Sequence, residues 1–537
     1  NNTFRSNVAL TNGSALAWIN SKNIHIDTYY FYDNVAGNSG GAIFVGNGSA
    51  NCEIVNCVFD NNKVDNVTGG HGGAIEWYSE DGLVENSTFT RNSAYHGGAI
   101  YVGFGSKKIN VTNSTFRENV AVAEGGAIGI EASSVAIYTS KFYYNNATTG
   151  GAIYVGGQGS TNHIEHSIFE GNKAKDGIGG AINWVASSGN ITYSNFTSNC
   201  ADYGGGIYLG GKSDNSSISY CIFTDNHAKY NGGAMDTNAT RMNLTHSIFD
   251  SNYAQFGAAL CREVNATGGF GDNVTFINNH AYVAGAALGW MGSVNITIRN
   301  YTFINNSADI GGGAIYVGAN SHNCSILDCN FENNYVTNVT DDWDDKYPWT
   351  AWDGTPMFYG VAIAPTPDLI GQIVMNDDNT MYYYAAGNYP SDLLCLGGAV
   401  TCLGSNATIR NSNFTNNTAK LGGAFYAGAA SGNTIIDGAL FKDNIAREDG
   451  GAVFLRASAV HIDDSEFYNN TAINGSAVYV GGVGTANKIH TSIFEGNNAT
   501  SHGGAIYWRA YEGEIFESNF TNNSAVYGGA IYLNGDL

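Results

Sequence analysis

Proline is almost absent. The chain has five in 537 residues, and all of them (Pro348, Pro356, Pro365, Pro367 and Pro390) fall within residues 337–396. Everywhere else each residue keeps a backbone N–H to donate, as strands in a hydrogen-bonded ladder require. Charge is also scarce, at 13% of residues, and leans acidic, with 23 Lys and Arg against 46 Asp and Glu. A net charge of −23 excludes nucleic acid as a natural partner. No apolar run reaches the length of a membrane-spanning helix, so no membrane span is expected in this chain. Helical periodicity is missing as well. There is no initiator Met or signal-peptide pattern, and the sequence starts and stops inside its own repeat. It therefore reads as a processed or partial form of something longer.

What is present is repetition. Phe-x-x-Asn occurs eighteen times, from Phe4 to Phe520, and all but one of the gaps between copies are nearly equal. The exception is the gap from Phe331 to Phe414, about three times the usual length. Each copy is followed by Gly-Gly-Ala-Ile or a close variant, as at Gly72, Gly97, Gly125 and Gly150. The two glycines supply a tight corner. The residues after them alternate in polarity with period two, as in a short strand with one buried face. A second strand is expected over Ser-x-Phe. A short unit repeated over the whole chain specifies a solenoid, which grows in one dimension without a globular-core limit.

The predicted fold is all-β, a right-handed parallel β-helix of about eighteen coils. Phe is expected to stack inside, and the repeat Asn to bond the Asn above and below it. From Gly72 to Gly257 the Gly-Gly spacings alternate, short from Gly72 to Gly97, long from Gly97 to Gly125, short again to Gly150. The larger unit is therefore two coils, about 53 residues. Long coils carry Tyr or Phe at the fifth motif position, as in Tyr101-Val102-Gly103 and Tyr154-Val155-Gly156. Short coils often carry Trp at the sixth, as at Trp77 and Trp184, which reads as core packing. The outward column Tyr101, Tyr154, Tyr208, Tyr316, Tyr426, Tyr479 and Tyr532 fits either structural padding or a contact surface. The solenoid is divided as residues 1–336 and 397–537, with 337–396 as an inserted loop.

The paired motifs resemble the repeats of chlamydial polymorphic outer-membrane proteins. They resemble still more the adhesin-like, β-helix-repeat surface proteins of methanogenic archaea, through segments such as Ser412-Asn413-Phe414-Thr415-Asn416-Asn417-Thr418-Ala419. The resemblance covers nearly the whole chain outside the insertion. It implies a β-helix on the cell surface, acting in adhesion. The chlamydial kind also carries a C-terminal membrane barrel, of which these residues show no pattern.

Asn-x-Ser/Thr sequons number 28, which points to an extracellular location. If the repeat Asn faces inward, the residue before it faces outward. Expected glycan sites are thus Asn305, Asn416, Asn469 and Asn522, which precede a repeat Asn, and Asn195, Asn413 and Asn519, which precede a repeat Phe. Asn12, Asn110 and Asn295 join them. Of the nine cysteines, Cys52 with Cys57 and Cys324 with Cys329 occupy equivalent repeat positions, and Cys395 and Cys402 flank a glycine corner. Each pair is read either as a local disulfide or as buried free thiols.

The insertion gathers acids and aromatics in Asp341, Asp342, Trp343, Asp344, Asp345, Tyr347, Trp349, Trp352 and Asp353. Excursions from a regular scaffold tend to carry function. This candidate contact loop is open to four readings: a decorated loop, partner docking, a sugar contact, or a Ca²⁺ site. No other metal site and no cofactor is expected.

Enzymatic chemistry is weighed and set aside. Gly70-His71-Gly72 looks like part of a pectinase site, but His71, His96 and His502 all stand at one repeat position, just before a glycine corner. Catalysis needs a unique constellation. The reading is therefore an extracellular structural or adhesive surface protein, not an enzyme. Its expected partners are other copies of itself, stacked head to tail through uncapped ends, and other cell-surface components or glycans. The alternatives are a β-helix polysaccharide lyase or hydrolase, or a glycan-binding module.

Overall fold

The computed structural model describes residues 2–157, 160–264, 266–337, 395–481 and 485–534. Within the insertion it describes only the backbone of four strands. The chain is a right-handed parallel β-solenoid of about 17 turns, divided into two compact units, 1–252 and 253–537. Eighteen motif copies enclose seventeen intervals, and among the described residues the last copy has no fourth-sheet strand. No helix is found among the described residues.

Each turn has four short strands, most of them of three residues. The first carries the repeat Phe, and the second follows the repeat Asn. The third follows the glycine corner, and the fourth leads to the next Phe. Each strand pairs in parallel with its counterpart one turn away. In the first unit, for example, Phe116 is in register with Phe142, and Phe142 with Phe169. Their rings stack at 4.9 and 4.8 Å, 4° from parallel. In the second unit, Phe331 stacks on Phe414 at 4.6 Å although the whole insertion separates them in sequence. The ladder thus passes over the insertion without a break.

The repeat Asn residues lie at the corner between the first and second strands, fully buried from Asn34 to Asn497 and half-buried at Asn7 and Asn523. Asn172 shows the pattern. Its Nδ2 donates to Asn199 Oδ1 and to Phe142 O, both at 3.0 Å. Its Oδ1 accepts from Asn145 N at 3.1 Å and from Asn145 Nδ2 at 2.9 Å. A second ladder runs through Ser114, Ser140 and Ser167, two residues before each Phe, where Oγ accepts from the previous turn's backbone N–H. At the glycine corner, Gly125 has φ +66, and a Cβ there would strike Ile128 O. One on Gly126 would strike Gly151 O of the next turn. The double glycine therefore permits both the bend and the close approach of the neighbouring coil.

All nine cysteines are free in the structure, which shows none of the three candidate disulfides. Cys57 and Cys329 replace serine in the Ser ladder. The N–H of each donates to the next turn's Oγ, from Ser87 and Ser412. Each Sγ also donates to the carbonyl two residues back at 3.1 Å. Cys52 and Cys324 stand at the opposite ends of the fourth-sheet strands that separate them from Cys57 and Cys329. That length of extended chain puts the members of each pair roughly 15 Å apart, far beyond disulfide reach. Cys402 points into the core beside Gly404 O. Cys395 belongs instead to an apolar cluster outside the third sheet, with Leu396, Leu421 and Tyr426. Burial pushes the Cys329 and Cys402 thiols up to about 12.

Inside the insertion, strands Trp349–Thr350, Pro356–Ile363, Ile373–Met375 and Thr380–Ala385 form a separate small sheet. The candidate contact residues Asp341, Asp342, Trp343, Asp344, Asp345, Tyr347, Trp352 and Asp353, and the Trp349 side chain, lie outside the described residues.

One core residue breaks the pattern. Arg262 sits at the inward sixth motif position, in register with Trp290, and is 4% exposed. Its Nη2 donates to Gly268 O at 2.7 Å, while its Nε has no hydrogen-bond partner among the described residues. Burial pulls its pKa down to about 10.

Two stability predictions follow from these contacts. Asn172→Ala removes both ends of the amide bridge and should cost about 2–4 kcal/mol. Amide exchange should accelerate in the turns beside it, and unchanged protection there would refute a stitching role. Arg262→Met should raise stability by about 1–3 kcal/mol by replacing a half-satisfied buried charge with an apolar chain. A lower melting temperature would contradict this.

Candidate functional site

Three columns of side chains lie on the outer face of the third sheet and along its two edges in the first unit, the first of them at the ends of second-sheet strands. The column just before the glycine corners runs His71, His96, Glu124, Thr149, with consecutive members in register. The outward fifth-position column runs Glu76, Tyr101, Gly129, Tyr154. The column just past the strands runs Tyr78, Gly103, Glu131, Gly156, linked by ladder hydrogen bonds such as Glu131 N to Val102 O at 2.9 Å. These are outward positions of strands whose inward residues, such as Ile128 and Ile130, fill the core.

The columns converge on Gly129, which bears no side chain and is itself buried, between Tyr101 on one turn and Tyr154 on another. Glu124 and Glu131 flank it on the same turn. A Cβ on Gly129 would come 3.0 Å from Tyr101 Cδ2, so the tyrosine ring covers the glycine. His71 stacks on Tyr101 at 4.3 Å and 10°. The glycines of the long coils make room for neighbours, since a Cβ on Gly156 would collide with the Glu131 carboxyl.

The electrostatics tie these groups together. His71 Nδ1 lies 3.0 Å from Glu76 Oε1, and the Glu76 side chain is only 2% exposed. His96 Nδ1 lies 3.1 Å from Glu124 Oε2, off the hydrogen-bond direction. Burial raises the Glu131 pKa above its ordinary 4.5, and nearby Glu124 raises it further against a smaller opposing effect of His96. Burial also raises the Tyr154 phenol, with Glu124 and Glu131 adding to it. Thr149 Oγ1 is buried without a hydrogen-bond partner among the described residues. The patch thus gathers two glutamates, two half-buried tyrosines and an unused hydroxyl. No group of three or more His, Cys, Asp or Glu among the described residues is arranged to hold a metal ion.

The outward aromatic column takes two forms. Tyr101, Tyr154 and Tyr208 in the first unit are half-buried. In the second unit Tyr426, Phe454, Tyr479 and Tyr507 stack at 4.7 to 5.4 Å and are buried under apolar residues such as Leu421 and Leu403. There the column is padding.

The sequon residues fall on the other surfaces. Asn305, Asn416, Asn469 and Asn522 are exposed, with φ between 53 and 55, in the left-handed region. Asn295 is exposed at φ 58. Asn195, Asn413 and Asn519 are exposed at the start of first-sheet strands, and Asn110 on the fourth sheet. Asn12 is half-buried. Sequence reasoning passed over His71 and His96 as repeat furniture and did not single out Glu124, Gly129 or Glu131. The missed signal was alternation within a column, a glycine whose neighbours one coil away on either side are both tyrosine.

The folded state raises the Glu131 pKa, so it holds the protonated carboxyl better than the unfolded chain does. Its stabilising effect is complete below the unfolded value and is lost as pH rises through the folded one. Glu131→Gln should therefore match the parent near pH 4 and exceed it in melting temperature at pH 7. A difference independent of pH would contradict this assignment.

Comparison with known proteins agrees with the geometry. The family model for the right-handed β-helix region matches residues 1–169. That for the Chlamydia polymorphic membrane protein repeat matches 300–318, 491–507 and 517–534. A metabotropic glutamate receptor-like protein R of Dictyostelium discoideum is 38% identical over 103 residues, which is 19% of this chain and 6% of that protein. This chain therefore spans only a small part of that relative's length. Among solved structures, a PL6 family alginate lyase aligns at 9% identity over 98% of this chain and 96% of its own, with TM-score 0.29. The tailspike protein of E. coli bacteriophage HK620 aligns at 11% over 81% and 74%, with TM-score 0.33. The chain carries a right-handed β-helix repeat pattern related to that of the chlamydial polymorphic membrane proteins.

Proposed function

We propose that this chain is an extracellular, cell-surface β-solenoid with a structural and adhesive role, glycosylated on three of its faces and making contact through the fourth. The observation that carries this reading is the distribution of sequons. Among the described residues no third-sheet strand contains a sequon Asn, and the sequons in the columns beside those strands, Asn12, Asn238 and Asn474, are half-buried, whereas exposed sequons occupy the first sheet, the fourth sheet and the left-handed corners. A glycan-coated surface with one uncoated stripe suits a protein that must stay soluble and yet touch a partner along that stripe. The relation of its repeats to those of polymorphic membrane proteins supports a surface location.

A second reading, a carbohydrate-active enzyme, draws on one feature. Burial and nearby Glu124 raise the Glu131 pKa, and neighbouring carboxyl groups are what glycoside cleavage uses.

Antibody labelling of intact native cells, with glycopeptide mapping of the recovered protein, tests the first reading. Labelling without permeabilisation and glycans on Asn110, Asn195 or Asn413 are expected. Labelling only after permeabilisation would sink it.

A further inference from the structure

Resting on the reading of a glycosylated surface, we propose that the glycan on Asn195 folds back onto a ribbon of exposed aromatic rings beside it. Its first pyranose ring is seated across Tyr193, Tyr220 and Ile222.

The ribbon occupies the corner before the first sheet, three residues ahead of each repeat Phe. That corner residue has positive φ, and at every other described turn it is Asn, Asp, Thr, Glu or Gly. In four consecutive turns it is instead His166, Tyr193, Tyr220 and His246, at φ 49 to 55. Bulky side chains are disfavoured in this region, so four in a row need an offsetting gain. Stacking supplies part of it. Consecutive rings lie 4.9, 4.8 and 4.7 Å apart and within 16° of parallel. Stacking does not bury them, since Tyr193 is 47% and Tyr220 46% exposed. Rings about 3.5 Å thick at this spacing are slipped past one another, so each shows solvent an edge and part of a face.

Beside the rings, one residue before each repeat Phe, runs the register column Ile168, Asn195, Ile222, Ile248. Ile222 and Ile248 are also exposed. Asn195 is the one polar member of the column, and Thr197 completes its sequon. The apolar patch therefore has a glycan attachment point within it, one ladder step, about 4.8 Å, from Ile222. The adjoining columns carry hydroxyls in these turns, Thr192 and Ser219 on one side, Thr197 and Thr224 on the other. A pyranose matches both surroundings, with a C–H face for apolar carbon and a rim of hydroxyls for polar neighbours. A protein partner would have to fit the Asn195 glycan inside its own footprint. Asn413 is an internal control. It holds the same strand position between Asn330 and Leu440, but the corner residues there are Asp328, Asn411 and Gly438.

The test is amide hydrogen exchange on the native glycoprotein, mapped for glycan occupancy, against Asn195→Gln and Asn413→Gln. Asn195 should be occupied. Loss of its glycan should speed exchange in strands Asn195–Thr197 and Ile222–Thr224 by about fivefold, while Asn413→Gln should leave its own strand unchanged. The effect of Asn195→Gln should vanish when Tyr193→Asn and Tyr220→Asn are combined with it. Asparagine suits the backbone of that corner, so these variants keep the fold. An unoccupied Asn195, unchanged exchange, an equal effect at Asn413, or an effect that survives the tyrosine replacements would each overturn the proposal. Surface labelling of intact cells, with glycans on Asn110 or Asn413, reads the wider surface role separately, so the two can fail independently.

Discussion

The buried amide ladder is the interaction on which the rest depends. A solenoid must turn its backbone through a dry corner once per coil, and that corner would strand N–H and C=O groups at a cost of a few kcal/mol each. Asparagine meets the need because its side chain is both donor and acceptor at the length of one backbone unit. Asn172 joins its own turn to Asn145 and Phe142 on one side and Asn199 on the other. Aspartate could accept but not donate, and glutamine would overshoot. The ladder ignores sequence distance. Asn334 bonds Asn417 as Asn145 bonds Asn172, with the insertion between them. Insertions are tolerated because the stitch is spatial.

With the turns pinned from inside, the outer corners are governed mainly by backbone conformation. Positions flanking the first-sheet strands take positive φ in turn after turn, and Asn tolerates that region better than most residues. Asn305, Asn416 and Asn469 therefore have a conformational reason to be asparagine before any glycan is considered. Asn416 Nδ2 also donates to Asn333 Oδ1 at 2.7 Å, an exposed copy of the inner ladder. The density of sequons thus has two physical sources, backbone geometry and the Ser/Thr that open the second strands.

The fold was legible because repetition amplifies weak signals. One Phe-x-x-Asn means little, while eighteen in register fix the interior. The cysteines show where that legibility stopped. Equivalent repeat positions made Cys52 and Cys57 look like a pair, yet equivalence in a solenoid places residues along the stack, not across a coil. Cys57 is better understood as a serine substitute. The cluster around Gly129 was hidden for a related reason. Its members come from four consecutive turns and are spread from His71 to Gly156, so no local motif contains them. They become visible only when the sequence is folded into columns.

That separation of inside from outside also explains how a site can exist on so regular a scaffold. In Ile128-Gly129-Ile130 the two isoleucines are buried and the glycine between them faces out. Strand alternation isolates the outward position from the core, so Gly129 removes outer padding without opening a cavity beneath. In the second unit the same outward position is filled by Tyr426, Phe454 and Tyr479, and the face is closed by a second apolar layer. The two outcomes arise from one backbone, and the difference lies in a column of side chains that the ladder does not need. Stability is concentrated in the inner columns and leaves the outer ones free to diverge, so the place to look for function is where an outer column departs from its own pattern.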